Sequence, residues 1–98
     1  MPVLATARFF VKPEKVPEFL DLLAAILPDT RGFEGCEFVD TYVDQDEPGH
    51  VLLLEQWDER ASHLTYLRWR SDTGMIETMA PFITARPEFT YFDARPAV

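Results

Sequence analysis

The chain has few of the residues that build covalent or metal-linked sites. Cys36 is its one cysteine among 98 residues, so an internal disulfide is excluded. Its two histidines, His50 and His63, are not spaced with carboxylates or cysteines in the way that a zinc site requires. We therefore predict no metal site, interpret Cys36 as a core residue, and expect a reduced, cytoplasmic setting for its single thiol.

Positive charge is also scarce. Nine Lys and Arg residues face 17 Asp and Glu residues, which gives a formal net charge of −8. Nucleic acids and anionic membrane surfaces bind clustered basic residues, so neither is an expected partner. The acidic loop residues Asp44, Asp46 and Glu47 are too few and too irregularly spaced for a calcium loop and indicate a solvated turn.

Long apolar runs and glycine-rich motifs are absent as well. No run approaches the ~18 apolar residues of a membrane span, and the N-terminus lacks the pattern of a signal peptide. The sequence contains no phosphate-binding glycine loop, nucleophile elbow or dinucleotide fingerprint. With 47% hydrophobic and 13% aromatic residues, the chain can form a core, and we expect a single domain over residues 1–98.

The periodicity of the apolar residues predicts an α+β fold. Strands are expected at Val3–Val11, Cys36–Val43, His50–Trp57 and Glu88–Phe92, with helices from Glu14–Val16 to Pro28, from Asp58–Ala61 to Arg70, and at Met75–Ile83. Pro17 is tolerated in the first turn of a helix, and Pro28 is expected to end the first one. The order β-α-β-β-α-β is that of a ferredoxin-like fold, with helices on one face of an antiparallel sheet.

The third strand raises the question of what covers the other face of this sheet. Val51, Leu53, Glu55 and Trp57 share one side of the strand, while Leu52, Leu54 and Gln56 share the other. We expect an uncovered face made of one side of the last strand and the following residues: Leu4, Phe10, Phe38, Tyr42, Val51, Leu53 and Trp57. That area exceeds the roughly few hundred Å² of apolar patch usual for a monomer.

A second copy is the simplest cover for such a face. Two facing sheets would make a dimeric α+β barrel with room for a small-molecule cavity. The assignment of faces depends on unbroken alternation, because a bulge in any strand would exchange them.

The chain resembles the antibiotic biosynthesis monooxygenase domain family, within the dimeric α+β barrel superfamily. The resemblance lies in Val11–Lys15 entering the first helix, Thr30–Cys36 entering the second strand, and Glu55–Asp58 ending the third. Residues 66–74 resemble a subgroup variant of the second helix. The similarity extends from about Val3 to Asp93.

The resemblance implies a homodimer and, for function, oxidation of small aromatic phenols or quinols by oxygen without flavin, haem or metal. Many relatives carry a histidine nine residues after the strand tryptophan, where this chain has Tyr66. His63, one turn earlier on the same helix face, could substitute for it or be unrelated to it. Haem-degrading relatives use an asparagine and a histidine at positions that correspond to Ala7 and Ile76, so haem degradation is not expected.

Two candidate residues lie on the third strand. Trp57 is a candidate pocket wall, with barrel core or dimer contact as the alternative. Glu55 is either a base whose pKa is raised in an apolar site or one partner of an ion pair with Arg8 or Arg70. Arg8 could orient a phenolate or oxyanion, or serve only in that pair.

The other candidates surround the expected pocket. Phe10 and Phe38 are predicted to wall it beside Trp57, with Tyr42 and Arg70 as further substrate-binding residues. His63, Tyr66 and Arg70 either rim its mouth or form a plain helix surface. His50, at the start of a strand, is expected to be exposed.

Three hypotheses remain open on the sequence. The first is a cofactor-independent monooxygenase acting on a quinol-like ring, with Glu55, His63, Tyr66 and Arg8 as polar candidates. The second is a non-catalytic dimeric barrel that binds a small hydrophobic metabolite. The third is a related barrel with isomerase or decarboxylase chemistry.

Overall fold

The computed structural model describes all residues from 1 to 98 and has the predicted order of elements. A short 3-10 turn at Pro13–Lys15 precedes the first helix. The elements are β1 (Val3–Phe10), α1 (Val16–Arg31), β2 (Cys36–Val43), β3 (His50–Trp57), α2 (Arg60–Asp72), α3 (Met75–Met79) and β4 (Glu88–Phe92). None of the helices is both long and apolar enough to span a bilayer.

The four strands form one antiparallel sheet in the order β2-β3-β1-β4. Val3 pairs with Trp57 and Phe10 with His50 along the two central strands. β4 pairs with the free side of β1, with Leu4 opposite Phe92. This is the ferredoxin-like α+β arrangement, so the predicted fold class is confirmed.

The first helix is longer than its sequence suggests. α1 continues past Pro28 to Arg31, and the backbone N–H of Gly32 donates to the Pro28 carbonyl at 3.1 Å. A proline inside a helix removes one hydrogen bond and crowds the carbonyl four residues earlier, but burial of Leu27 and Thr30 on either side of it favours continuation. The predicted helix end at Pro28 is therefore wrong, and Thr30 belongs to α1.

The faces of the sheet are the reverse of the predicted assignment at β3. Val51, Leu53, Glu55 and Trp57 are all buried, and they lie opposite the buried alanines and aromatic of β1 under the helices. The expectation that Val51, Leu53 and Trp57 would be bare is wrong. The helices cover this side because its β1 positions are small: Ala5 lies opposite Glu55 and Ala7 opposite Leu53, which leaves room above the strands.

A bulge in β2 explains why alternation failed there. Cys36 pairs with Trp57, yet Phe38 pairs with the next residue, Gln56, so Glu37 is the extra residue. Cys36 consequently turns toward the helices and is partly buried against the core, while Phe38 turns away. Burial raises the pKa of the Cys36 thiol to about 11, which keeps it protonated and a poor nucleophile.

The opposite face of the sheet has no helix over it. It carries half-buried apolar residues of all three longer strands and two large exposed aromatics at its margins. The set comprises Leu4, Phe10, Phe38, Tyr42, Leu52, Leu54 and Phe92, and we call it the open face.

Candidate functional site

An apolar cavity of about 690 Å³ lies between the helix-facing side of the sheet and the helices. Fourteen of its 19 lining residues are hydrophobic. Its floor is Ala7, Phe9, Leu53 and Glu55; its walls include Leu23, Ile26 and Leu27 of α1, Tyr66, Leu67 and Arg70 of α2, and Met75, Ile76 and Met79 of α3. The cavity opens beside the segment that leads into β4, where its lining residues are exposed: Ser71, Ala85, Arg86 and Phe89.

Glu55 is a buried carboxyl group on the cavity floor. Its side chain is 3% exposed, and it accepts a 2.8 Å hydrogen bond from the Trp57 indole N–H. Burial raises the pKa of Glu55 from 4.5 to about 7, although the Trp57 hydrogen bond works in the opposite direction. A carboxyl group in this state exchanges a proton readily near neutral pH, as a general base requires.

His63 connects this carboxyl group to the edge of the sheet. Its Nε2 lies 3.6 Å from Glu55 Oε1 and has no hydrogen-bond partner, while its Nδ1 is 2.6 Å from the Tyr91 hydroxyl. Burial lowers the pKa of His63 to about 4, so the ring is neutral at pH 7. Burial also raises the pKa of Tyr91, against the effect of the Arg60 guanidinium stacked 4.2 Å over its ring. The three groups form a polar path from the cavity to β4.

A second polar cluster lies on the α1–α2 side of the cavity. Arg70 Nε donates to the Tyr66 hydroxyl at 2.9 Å, and Arg70 Nη2 donates to the Ile26 carbonyl at 2.7 Å and to Thr30 Oγ1 at 3.1 Å. The hydroxyls of Tyr66 and Thr30 are 2.6 Å apart and share a hydrogen bond. This cluster ties α2 to α1 and holds the Arg70 side chain against the cavity.

The antibiotic biosynthesis monooxygenase family model matches residues 2–73 of the chain. The chain belongs to this family. The Mycobacterium tuberculosis protein Rv0793, which carries a provisional monooxygenase name, is 30% identical over 89 residues, with 85% of this chain and 87% of that protein covered.

Solved structures place the fold in the same family. A crystal structure of an antibiotic biosynthesis monooxygenase superposes with a TM-score of 0.82 at 26% identity, covering 96% of this chain and 99% of the other. The Rv0793 structure gives a TM-score of 0.71 at 26% identity, covering 97% and 96%. A conserved protein from Methanosarcina mazei shares the fold, with a TM-score of 0.83 at 23% identity and coverage of 97% and 94%.

In this family member the α2 residues face inward. His63, Tyr66 and Arg70 are all at least nine-tenths buried, so their interpretation as a plain helix surface is wrong. The predicted alignment of His63 with Tyr66 and the predicted contact between Tyr66 and Arg70 are both confirmed. Both predictions followed from helical spacing, because residues three or four positions apart share a helix face.

The predicted ion pair of Glu55 with Arg8 or Arg70 does not form. Arg8 lies on the opposite face of the sheet, where its guanidinium is 3.3 Å from Glu88 and 3.2 Å from His50 Nε2. Arg70 has only neutral partners. Instead, Glu55 has an indole donor and a neutral imidazole beside it, which leaves its carboxyl group free of a cation.

The predicted pocket wall is divided by the sheet. Phe10, Phe38 and Tyr42 belong to the open face, whereas Trp57 is fully buried on the helix side, so these four cannot wall one pocket. Trp57 does not itself line the cavity. Its ring centroid lies 5.1 Å from that of His63, and its indole N–H donates to Glu55. Its alternative interpretation as a core residue is confirmed. His50, expected to be exposed, is half-buried by Phe10, which stacks on its ring at 5.7 Å.

Two polar residues of the site were missed in the sequence. Thr30 lies beyond Pro28, the predicted end of the first helix, so it is not expected on α1 from the sequence. Tyr91 could have been found from the sequence, because strand alternation puts it on the same face as Phe89, and both residues face the helices. No group of three or more His, Cys, Asp or Glu side chains is arranged to hold a metal ion.

Proposed function

We propose that the protein is a monooxygenase that oxidises a small phenolic or quinol-like ring in its cavity, by direct reaction of the deprotonated ring with oxygen. One observation carries the proposal: a buried carboxyl group with a pKa near 7 stands on the floor of an apolar cavity large enough for a small ligand. Membership of the antibiotic biosynthesis monooxygenase family supports the reaction class.

Glu55 is the proposed base. Its carboxylate accepts a proton from the substrate, and the resulting anion reduces oxygen. For an anthrone-type ring, one carbon loses two hydrogens and gains one oxygen atom as a carbonyl, while the second oxygen atom leaves with the two hydrogens as water. The apolar walls exclude bulk water from the anion.

His63 and Tyr91 are the proposed exit for the proton. A neutral imidazole can receive a proton at one nitrogen while releasing another, and its two nitrogens face Glu55 and Tyr91. Tyr91 is only partly buried and so brings the path toward solvent. Each turnover would return Glu55 to its basic state through this path.

We also propose that the protein acts as a homodimer through the open face. Its apolar residues are uncovered by any helix, and an apolar sheet face of this kind is typical of an association surface. Light scattering at micromolar concentration should give about twice the 11.3 kDa chain mass. A monomeric mass for the wild type would contradict the proposal, and Leu54→Lys, at the centre of the face, should shift a dimer toward monomer.

Oxygen uptake tests the reaction. Purified, metal-free protein is incubated with a panel of anthrones and naphthoquinols, and uptake is followed with an oxygen electrode. We expect Glu55→Gln to reduce the rate at least tenfold, because an amide cannot accept the substrate proton. Glu34→Gln, which changes an exposed glutamate outside the cavity, is the matched control and should keep the wild-type rate.

The same experiment separates the alternative function. The predominance of hydrophobic residues in the cavity also suits a non-catalytic barrel that binds a hydrophobic metabolite. Tight binding of a panel ring without oxygen uptake would support that binding role. Uptake that is undiminished in Glu55→Gln would remove Glu55 as the base.

A further inference from the structure

The cavity has a charge balance opposite to that of the whole protein. The chain has 17 acidic and nine basic residues, but the cavity is lined by two arginines, Arg70 and Arg86, and by one acid, Glu55. Because the pKa of Glu55 is raised to about 7, that acid is only partly ionised at neutral pH. The cavity therefore carries a net positive charge inside a strongly acidic protein.

Arg70 is the deeper of the two cations and is unneutralised. Its residue is 8% exposed, and its hydrogen-bond partners are a phenol, a threonine hydroxyl and a backbone carbonyl. Its Nη1 donates to no protein group, and no carboxylate lies within ion-pair distance. Guanidinium stays charged in proteins, and a buried charge without a counter-ion is costly.

We propose that the ligand of this cavity is an amphipathic anion, an apolar ring body with one acidic group that Arg70 binds. A carboxylate of the ligand supplies the missing counter-charge, the apolar walls contact the ring, and Glu55 faces the reacting part. The inference deepens the proposed function by naming its substrate class, and it rests on that function only in taking the cavity as the substrate site.

Arg86 fits the same ligand from the mouth. It is exposed, forms no ion pair and lines the cavity beside the segment leading into β4. The negative charge of the chain repels anions at long range, and a cation at the entrance offsets that repulsion locally. Arg86 thus attracts the anionic ligand to the cavity mouth, while Arg70 binds it inside.

Arg70 also holds α2 against α1, so its removal could act through structure alone. The preference for charge separates the two roles. 2-Naphthoate and 2-naphthamide have nearly the same size and differ in charge, and a merely loosened cavity would weaken both equally. The measured quantity is the ratio of their dissociation constants at pH 7.5, determined by calorimetry.

We expect the wild type to bind 2-naphthoate at least tenfold more tightly than 2-naphthamide, a difference of about 1.4 kcal/mol. In Arg70→Gln the ratio should fall to near one, whereas Arg70→Lys should keep part of it. Arg68→Gln changes an exposed arginine of the same helix that lines no cavity, and should leave the ratio unchanged. Equal binding of the two probes by the wild type, or a tenfold preference that persists in Arg70→Gln, would overturn the inference.

A second measurement needs no variant. In ¹⁵N NMR of the wild type, the Arg70 side-chain N–H signals should shift on addition of 2-naphthoate and not of 2-naphthamide; equal shifts, or none with naphthoate, would also overturn the inference. Neither binding experiment requires turnover. A charge preference without oxygen uptake would therefore refute only the proposed reaction. Oxygen uptake without a charge preference would refute only the inference that the ligand is an anion bound by Arg70.

Discussion

The two faces of the sheet each hold a histidine beside a carboxyl group, and the two pairs behave in opposite ways. On the helix side, His63 lies 3.6 Å from Glu55, and both are almost fully buried. On the other side, His50 Nδ1 lies 3.0 Å from Asp44 Oδ2, and the carboxylate is 35% exposed. Burial raises the pKa of Glu55 to about 7, whereas the His50 hydrogen bond lowers the pKa of Asp44 to about 2.

The number of donors explains part of this difference. Asp44 accepts hydrogen bonds from His50 and from the backbone N–H groups of Asp46 and Glu47 at 2.8 and 3.1 Å. Glu55 has one donor, the Trp57 indole, and its side chain is almost fully buried. A histidine next to a carboxylate therefore does not by itself indicate a function. Burial and the number of hydrogen-bond donors set the pKa of the carboxyl group, and so decide whether the pair is a surface contact or can exchange a proton near neutral pH.

The strongest test of this contrast is how the stability of the wild type and of Glu55→Gln depends on pH, and it is where we expect the largest effect. The pKa of Glu55 is raised on folding, so its contribution to stability is complete below pH 4.5 and is lost as pH rises through about 7. One pKa unit corresponds to about 1.4 kcal/mol, so the whole change is about 3 kcal/mol. Urea unfolding at several pH values should show the wild type losing about this much, relative to Glu55→Gln, between pH 4.5 and 8.

His63 provides an internal check on that experiment. Its pKa is lowered on folding, so its contribution is present above pH 6.5 and is lost as pH falls through about 4. In Glu55→Gln this contribution remains, and stability should rise with pH over that range. A difference between the two proteins that does not vary with pH would show that Glu55 is ionised in the fold much as in the unfolded chain.

A smaller effect is expected from removal of the one donor to Glu55. Trp57→Phe takes away the indole N–H and leaves space in the core, and we expect a loss of about 2 kcal/mol in the free energy of unfolding. The pKa of Glu55 should rise further, so the midpoint of the pH–rate profile should move upward. Trp69→Phe, which changes a tryptophan not bonded to Glu55, is the control and should leave that midpoint in place.

The elements of the fold could be predicted from the sequence because they depend on local periodicity. The bounds of β2, β3 and β4 follow from alternation, and the shared face of His63, Tyr66 and Arg70 on α2 follows from i, i+3 and i, i+4 spacing. Membership of the family follows from short motifs whose order is preserved.

The site could be predicted only in part, because its geometry depends on contacts distant in sequence. The extra residue at Glu37 put Cys36 on the opposite face from Phe38 and Tyr42, and α1 continued through Pro28 because packing outweighed the effect of the proline. Whether Glu55 meets an arginine or a histidine depends on which face each strand turns inward, and no spacing within the chain specifies that. The prediction of a single domain over 1–98 and the predicted dimer stay predictions.

The smallest expected effect concerns the surface pair. The pKa of Asp44 is lowered on folding, so its contribution to stability is present above pH 3.8 and is lost as pH falls through about 2. Because the carboxylate is partly exposed, solvent screens its contact with His50, and Asp44→Asn should change stability at pH 7 only slightly. Urea unfolding at several pH values should show a small stability advantage of the wild type over the variant above pH 3.8, and this advantage should disappear near pH 2, since only the wild type has the contribution to lose. A gain of stability in Asp44→Asn at neutral pH would mean that the Asp44 carboxylate is desolvated like that of Glu55, and the contrast between the two pairs would fail.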